Sequence, residues 1–179
     1  MTRGFSSKMS NHQDAKTWFE MALSDIERII RSFKAEDYAD CAFRIQFCSE
    51  KMVKGLVLLY GGQFKKIHYP SIIIQEEILT MKILADPIKL ILTEIVNNAA
   101  ILENLSTIPR YGMEEMDKYI RPESIYTKES IQLILPPLRN IIKNLISNLI
   151  LNEKKEFWLK IIEEFDNGNK KIQTILDQK

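Results

Sequence analysis

The sequence predicts an all-α protein, an antiparallel up-and-down helical bundle with an additional C-terminal helix, on three observations. Glycine and proline number six each in 179 residues, roughly 7% of the chain where average usage is about 12%, so breaks in regular structure are sparse. Apolar residues return at helical spacing in one segment after another. Nowhere does period-two alternation with paired turn signals suggest a hairpin.

Residues 1–13 are small, polar and without period, which predicts a flexible lead-in before a helical bundle over 14–151 and a C-terminal helical extension over 152–179 packed on it. From Asp14 to about Lys34, Trp18, Ala22, Ile26, Ile29 and Phe33 recur at helical spacing. Asp25 projects close to Trp18 and Ile29 on this wheel, near the centre of the apolar stripe, so its carboxylate needs a partner. The second helix should run from about Glu36 to Tyr60 and stop at Gly61-Gly62. Its apolar face is Tyr38, Ala42, Ile45, Val53, Leu56 and Tyr60, with Gln46 and Glu50 at the edge, Lys54 further round and Lys51 opposite the core. Gln46, Glu50 and Lys54 form a row along one flank, in which Glu50 and Lys54 also make an ordinary helix ion pair.

A short basic loop, QFKKIHY over 63–69, precedes Pro70, which fits the first position of a third helix reaching about Leu84. Asp86-Pro87 restarts the chain as N-cap and N1 of a fourth helix, ending near Leu105, with Ile88, Ile91, Leu92, Ile95, Ala99 and Leu102 on one face. Residues 106–126 carry no convincing period and hold Arg110, Arg121 and three of the six tyrosines. Long ordered loops of this kind often carry function. Thr127 can cap the next helix, which is expected to kink or break at Pro136-Pro137. Beyond it, Leu138, Ile141, Ile142, Leu145, Ile146 and Leu149 lie on one side, and Arg139, Asn140, Lys143, Asn144, Ser147 and Asn148 on the other. A last helix from about Asn152 to Phe165 turns Trp158, Ile161 and Ile162 inward and ends at Asp166-Asn167-Gly168-Asn169, with a short helical tail after it.

Composition narrows the chemistry. Hydrophobic residues at 45% and charged residues at 27% suit a soluble protein with one sizeable core. Lys plus Arg number 25 against 24 Asp plus Glu, a formal charge of +1, which disfavours wholesale coating of a phosphate backbone. With two His and two Cys in all, a multi-ligand metal site has almost nothing to be built from, and neither metal nor cofactor is expected. Cys41 and Cys48 are seven apart on one helix, about 10 Å by helical rise and too far for a disulfide, so both read as small buried thiols. The first thirteen residues lack the apolar run of a signal peptide, and charges interrupt the apolar stretch between Ile72 and Leu105, so a cytoplasmic protein without membrane spans is expected. There is no GxxxxGK[ST], GxGxxG or GxSxG motif. The adjacent carboxylates Glu76-Glu77, Glu114-Glu115 and Glu163-Glu164 point about 100° apart on a helix and read as solvated faces. His68 is the one plausible imidazole for proton transfer, although a loop histidine can equally cap a helix end.

The segments AKTWFEMALSDIERI and YADCAFRIQFCSEKMVKGLVLLYGG, followed by His68, resemble the HEPN domain (higher eukaryotes and prokaryotes nucleotide-binding). PRYG at 109–112 and IYTKES at 125–130 continue the likeness, which covers about Ala15 to Asn148. Trp18, Ala22, Asp25, Tyr38, Ala42, Phe43, Gln46, Glu50, Lys51, Lys54, His68, Arg110 and Tyr111 match the family's pattern. The chain departs from it at Phe47, Cys48 and Ser49 and at Pro136-Pro137. The resemblance implies a bundle of four or five helices, often dimeric and associated with a small nucleotidyltransferase, as in toxin-antitoxin pairs. Some members are metal-independent ribonucleases marked by Arg, four to six residues, then His. In this sequence Arg3 and His12 are the only Arg-before-His candidates, and they stand too far apart.

The expected function is therefore a non-catalytic HEPN-like module that binds a protein partner, for instance a small nucleotidyltransferase, or a nucleotide-like ligand. Its candidate binding residues are Asp25, Gln46, Glu50, Lys54, His68, Arg110 and Tyr111. Two alternatives stand beside it. One is an RNA-cleaving enzyme with an atypical site using His68, Arg110 and Tyr111, in which His68 acts as acid-base catalyst and Arg110 stabilises the phosphorane charge if the fold brings them together. The other is a structural homodimer joined through the Leu138–Ile150 face or the last helix.

Overall fold

The computed structural model describes residues 4–63 and 69–177, with side chains from residue 11 onward. It is an all-α bundle. Helix α1 spans Gly4–Lys34 and α2 spans Tyr38–Leu59. Between them the Asp37 carboxylate accepts a hydrogen bond from the Asp40 backbone N–H at 3.0 Å, an N-cap that starts α2 two residues after the expected Glu36. Helix α1 begins at Gly4, ten residues before the start expected at Asp14. The buried stripe of α1 is Ala15, Phe19, Ala22, Ile26, Ile29 and Phe33. Trp18, expected inward, is instead half-buried at the edge, and its neighbour Phe19 takes the core position.

The expected third helix is cut short. A single turn α3, Ser71–Ile73, runs into a π-helical turn, Ile74–Ile78, and stops. At its end the Thr80 hydroxyl donates to the carbonyls of Glu77 (2.9 Å) and Glu76 (3.2 Å). Helix α4, Asp86–Glu103, restarts as expected, except that Ala85 is the N-cap and Asp86 stands in the first turn, where its charge suits the helix dipole.

The stretch after α4 is more structured than the sequence suggests. A short helix α5, Ile108–Tyr111, leads into an antiparallel pair, β1 (Met113–Glu115) and β2 (Lys118–Ile120), and then α6, Pro122–Ile125. The hairpin turns on Met116 and Asp117, at φ 48° and 60°. Two left-handed residues in a two-residue loop suit the twist of the strands. Met-Asp lacks the Asn-Gly signature of such turns, so the sequence does not announce the hairpin.

Helix α7, Lys128–Ile150, is capped as expected: the Ser130 N–H donates to the Thr127 hydroxyl at 3.3 Å and the Thr127 N–H to the Ser130 hydroxyl at 2.7 Å. It does not break at Pro136-Pro137. Pro136 faces solvent, while Ile131, Leu135, Leu138 and Ile141 are fully buried on either side of it, so packing keeps both halves in one helix. Asn148, expected on the polar side, is buried, and its amide donates to the Tyr60 hydroxyl at 2.7 Å, which links α7 to the end of α2.

Helix α8, Lys155–Leu176, likewise runs straight through Asp166-Asn167-Gly168-Asn169, where the sequence predicts an end. Gly168 is buried, and a Cβ on it would stand 3.2 Å from two carbons of Ile26. The glycine thus serves close approach of α8 to α1 rather than a C-cap. Asn169 is buried beside it, and its side-chain oxygen accepts from Arg139 Nε at 3.1 Å.

In the bundle α1 lies along α2, α2 meets α4 and α7, α7 meets α4 and α8, and α8 closes back on α1. Phe19 packs edge-on against Trp158 (5.7 Å) and Phe165 (6.3 Å) where α1 and α8 meet. Among the described residues no helix is long and apolar enough to cross a membrane.

Candidate functional site

Helix α2 uses its flank twice. On the side toward α1, Asp25 is fully buried, and its carboxylate accepts from Lys51 Nζ and from Arg28 at 3.1 Å, with Arg44 at 3.8 Å. The partner demanded by the wheel exists. One of its three cations is Lys51, expected opposite the core. The long side chain reaches back along the helix, burying its stem while the ammonium meets Asp25. This cluster joins α1 to α2 and lies apart from the cavity described next.

On the other side of α2 a cavity of about 110 Å³ opens between α2, α4 and α5. Phe43, Gln46, Phe47 and Glu50 form one wall, Glu103 and Tyr69 another, and Ser106, Thr107, Arg110 and Tyr111 the rim. The Phe43 and Phe47 rings are 4.4 Å apart, one helical turn along α2. The Arg110 guanidinium lies 4.3 Å over Phe43, 5.2 Å over Phe47 and 5.7 Å from Tyr111. Cation–π contacts on three rings hold its plane at the mouth of the cavity. Arg110 has no carboxylate partner among the described residues. The Tyr119 hydroxyl donates to the Tyr111 carbonyl, so the hairpin pins the rim from outside.

Inside, Gln46 is 9% exposed and its amide makes no hydrogen bond to any described residue. Glu50 is engaged by Lys54, whose ammonium also sits 5.1 Å over the Trp18 ring. Glu103 is buried, with its carboxylate accepting from the Ser71 N–H at 3.1 Å and from the Ser71 hydroxyl. Burial pushes the Glu103 carboxyl above the ordinary carboxylate range, the Glu50 charge adds to this, and the Ser71 hydrogen bonds offset part of it.

Of the seven residues proposed from sequence, Gln46, Glu50, Arg110 and Tyr111 line this cavity and Lys54 backs one of them. Asp25 belongs to the α1–α2 cluster. His68 lies outside the described residues. Glu103 is absent from those seven, although it carries the same signal that exposes Asp25: at about 100° per residue it projects only about 20° from Leu92, within the apolar stripe of α4. Tyr69, Ser106 and Thr107 carry no such signal, because they lie outside the regular helices.

The two thiols offer no nucleophile. Cys41 and Cys48 are buried and donate to the carbonyls of Ile29 (3.6 Å) and Ala22 (3.4 Å). Burial, aided by Asp40 and Asp37, pushes Cys41 to about 12, and burial holds Cys48 well above its ordinary value. A larger groove of about 430 Å³ between α1 and α8 is bordered by the exposed pair Lys171–Glu27 at 2.6 Å and holds none of the candidate binding residues singled out from the sequence.

Residues 15–155 match the family model described as the HEPN domain. The protein named "Putative toxin MJ1304" of Methanocaldococcus jannaschii is 29% identical over 133 residues, covering 74% of this chain and 86% of that protein. No solved structure matches the chain. With the family match extending over most of its length and the helical bundle in agreement, the chain belongs to the HEPN domain family.

Proposed function

We propose that this chain is a nucleotide-binding HEPN module, in which the cavity between α2, α4 and α5 receives the base and Arg110 at its mouth takes the phosphate. HEPN membership and the relative's name support a nucleotide- or RNA-related function at the coarser level. The observation that carries the finer reading is Gln46, nine-tenths buried and without a hydrogen-bond partner among the described residues, in a cavity whose rim presents an unpaired guanidinium. The Gln46 amide lines the cavity and offers a donor and an acceptor to the complementary edge of a base. Tyr69 and Tyr111, which line the cavity and are 42% and 58% exposed, offer ring faces on which a base can stack. The guanidinium carries five donors in a plane suited to a phosphate. The sequence holds no Arg followed four to six residues later by His, which favours binding over cleavage.

Isothermal titration of the full chain with the four ribonucleoside monophosphates tests this. Saturable binding is expected, weakened about tenfold or more by Arg110→Ala, the size of a lost charge-assisted hydrogen bond. Absence of heat with every nucleotide at millimolar concentration would overturn it.

The relative's name favours a second reading, a toxin whose action depends on the same cavity. Induced expression should then arrest growth, and Arg110→Ala should restore it. Cleavage of added RNA by the purified chain would replace the non-catalytic reading with the ribonuclease one.

A further inference from the structure

The Asp25 cluster lies apart from the cavity, yet its cations and Arg110 meet on the same two rings. Phe43, Phe47 and Lys51 stand at four-residue spacing on α2, which places them in one row along the helix. Arg44 lies 5.1 Å over Phe43 and Lys51 lies 5.6 Å over Phe47, while Arg110 reaches both rings from α5. Three cations can share two rings because Arg44 and Lys51 are engaged by the Asp25 carboxylate, with Asp40 also accepting from Arg44 Nε at 3.2 Å. Arg110 differs from them. Its guanidinium has neither a carboxylate nor a hydrogen-bond acceptor among the described residues, and there it is held by aromatic faces alone. A guanidinium held by its face keeps its in-plane N–H donors unspent.

We propose that Phe43 and Phe47 are positioning residues for the phosphate: fixed by the cations of the Asp25 cluster, their rings hold the Arg110 guanidinium in its receiving orientation before the ligand arrives. The inference rests on the reading of the cavity as a nucleotide site. A free arginine side chain has to be ordered when its ligand binds, and that ordering subtracts from affinity. Here the folded chain has ordered it beforehand. A leucine at either position keeps an apolar, helix-favouring side chain but removes the π face. Phe47 is also a point at which the chain departs from the family's pattern, so this half of the ring pair is a feature of this sequence.

Titration of the full chain with each of the four ribonucleoside monophosphates and with its own nucleoside separates the phosphate's share of binding from the base's. In the wild type the monophosphate is expected to bind about tenfold or more tighter than the nucleoside. Phe43→Leu with Phe47→Leu should shrink that ratio by about threefold or more, the size of ordering one long side chain at binding instead of beforehand. Phe43→Tyr with Phe47→Tyr keeps both ring faces and should preserve the ratio within about twofold. In an Arg110→Ala background the leucine pair should also leave the ratio within about twofold, because the rings act through Arg110. Both rings are half-buried, and Phe47→Leu alone reads the same ratio if the double variant fails to fold. A ratio unmoved by leucine, or lowered equally by leucine and tyrosine, would overturn the positioning role and leave the nucleotide site standing. Binding of no ligand would overturn both.

Discussion

Asp25 on α1 and Lys51 on α2 form an ion pair at the helix interface, with the carboxylate fully buried and the ammonium side chain 16% exposed. Arg28 and Arg44 complete a ring of cations around the same carboxylate. Asp25→Ala removes the anion they share. The cost is expected to be about 3 kcal/mol, at the low end for a broken buried pair because the three cations retain access to solvent. For a chain of this size that lowers the melting temperature by roughly 6–12 °C. Thermal unfolding of Asp25→Ala, Lys51→Ala and the double variant checks it: the double variant should be less destabilised than the sum of the singles. Strict additivity would mean that the pair contributes nothing.

Glu103 makes stability depend on pH. Its carboxyl titrates above the ordinary 4.5, chiefly because it is buried, so the folded chain holds this proton more tightly than the unfolded one. The resulting stabilisation is fully present below 4.5 and is lost as pH rises through the raised value. Glu103→Gln keeps an acceptor for the Ser71 N–H and carries no proton to lose. The variant's melting temperature relative to wild type should therefore climb as pH increases from below 4.5 through that window. A difference independent of pH would contradict the assignment.

Gly55 and Gly168 both serve helix contacts but with unequal tolerance. A Cβ at Gly55 would fall 2.3 Å from Cε1 of Phe19, whose ring is fully buried and has nowhere to move. Gly55→Ala should cost about 1–3 kcal/mol. At Gly168 the nearest carbons are 3.2 Å away, and the roughly 1 kcal/mol of helix propensity gained by alanine offsets the crowding. Gly168→Ala should stay within about 1 kcal/mol of wild type. Denaturant unfolding separates the two; equal losses would refute this account of the helix contacts.

Arg110→Ala should change ligand binding without unfolding the protein. The side chain is exposed and held by cation–π contacts worth about 0.5–1 kcal/mol at such a site. A drop in melting temperature of more than a few degrees would assign Arg110 to the core instead. Arg110→Lys should not rescue binding, because an ammonium lacks the planar fork that the rings of Phe43 and Phe47 orient.

Several features of the site are legible in the amino-acid pattern. The helical wheel marks Asp25 as a buried charge, and the same projection applied to Glu103 marks it too. The Gln46 and Glu50 row is visible as the edge of an apolar face. Other features are illegible for definite reasons. Met116-Asp117 adopts a turn usually made by Asn-Gly, Gly168 serves packing where a terminus is expected, and Pro136-Pro137 sits in a helix held together by its buried neighbours.

By itself the sequence determined the all-α class, the cap at Thr127, the restart at Asp86-Pro87 and the need of Asp25 for a partner. Each of these depends on residues within a few turns of one another, where spacing and backbone chemistry are enough. The tertiary structure alone decided that Lys51 would be a partner of Asp25, that α8 would continue through Gly168, and that Gln46, Glu103 and Arg110 would meet around one cavity. Those residues come from α2, α4 and α5, and their distances are set by how the helices pack, which no local pattern encodes.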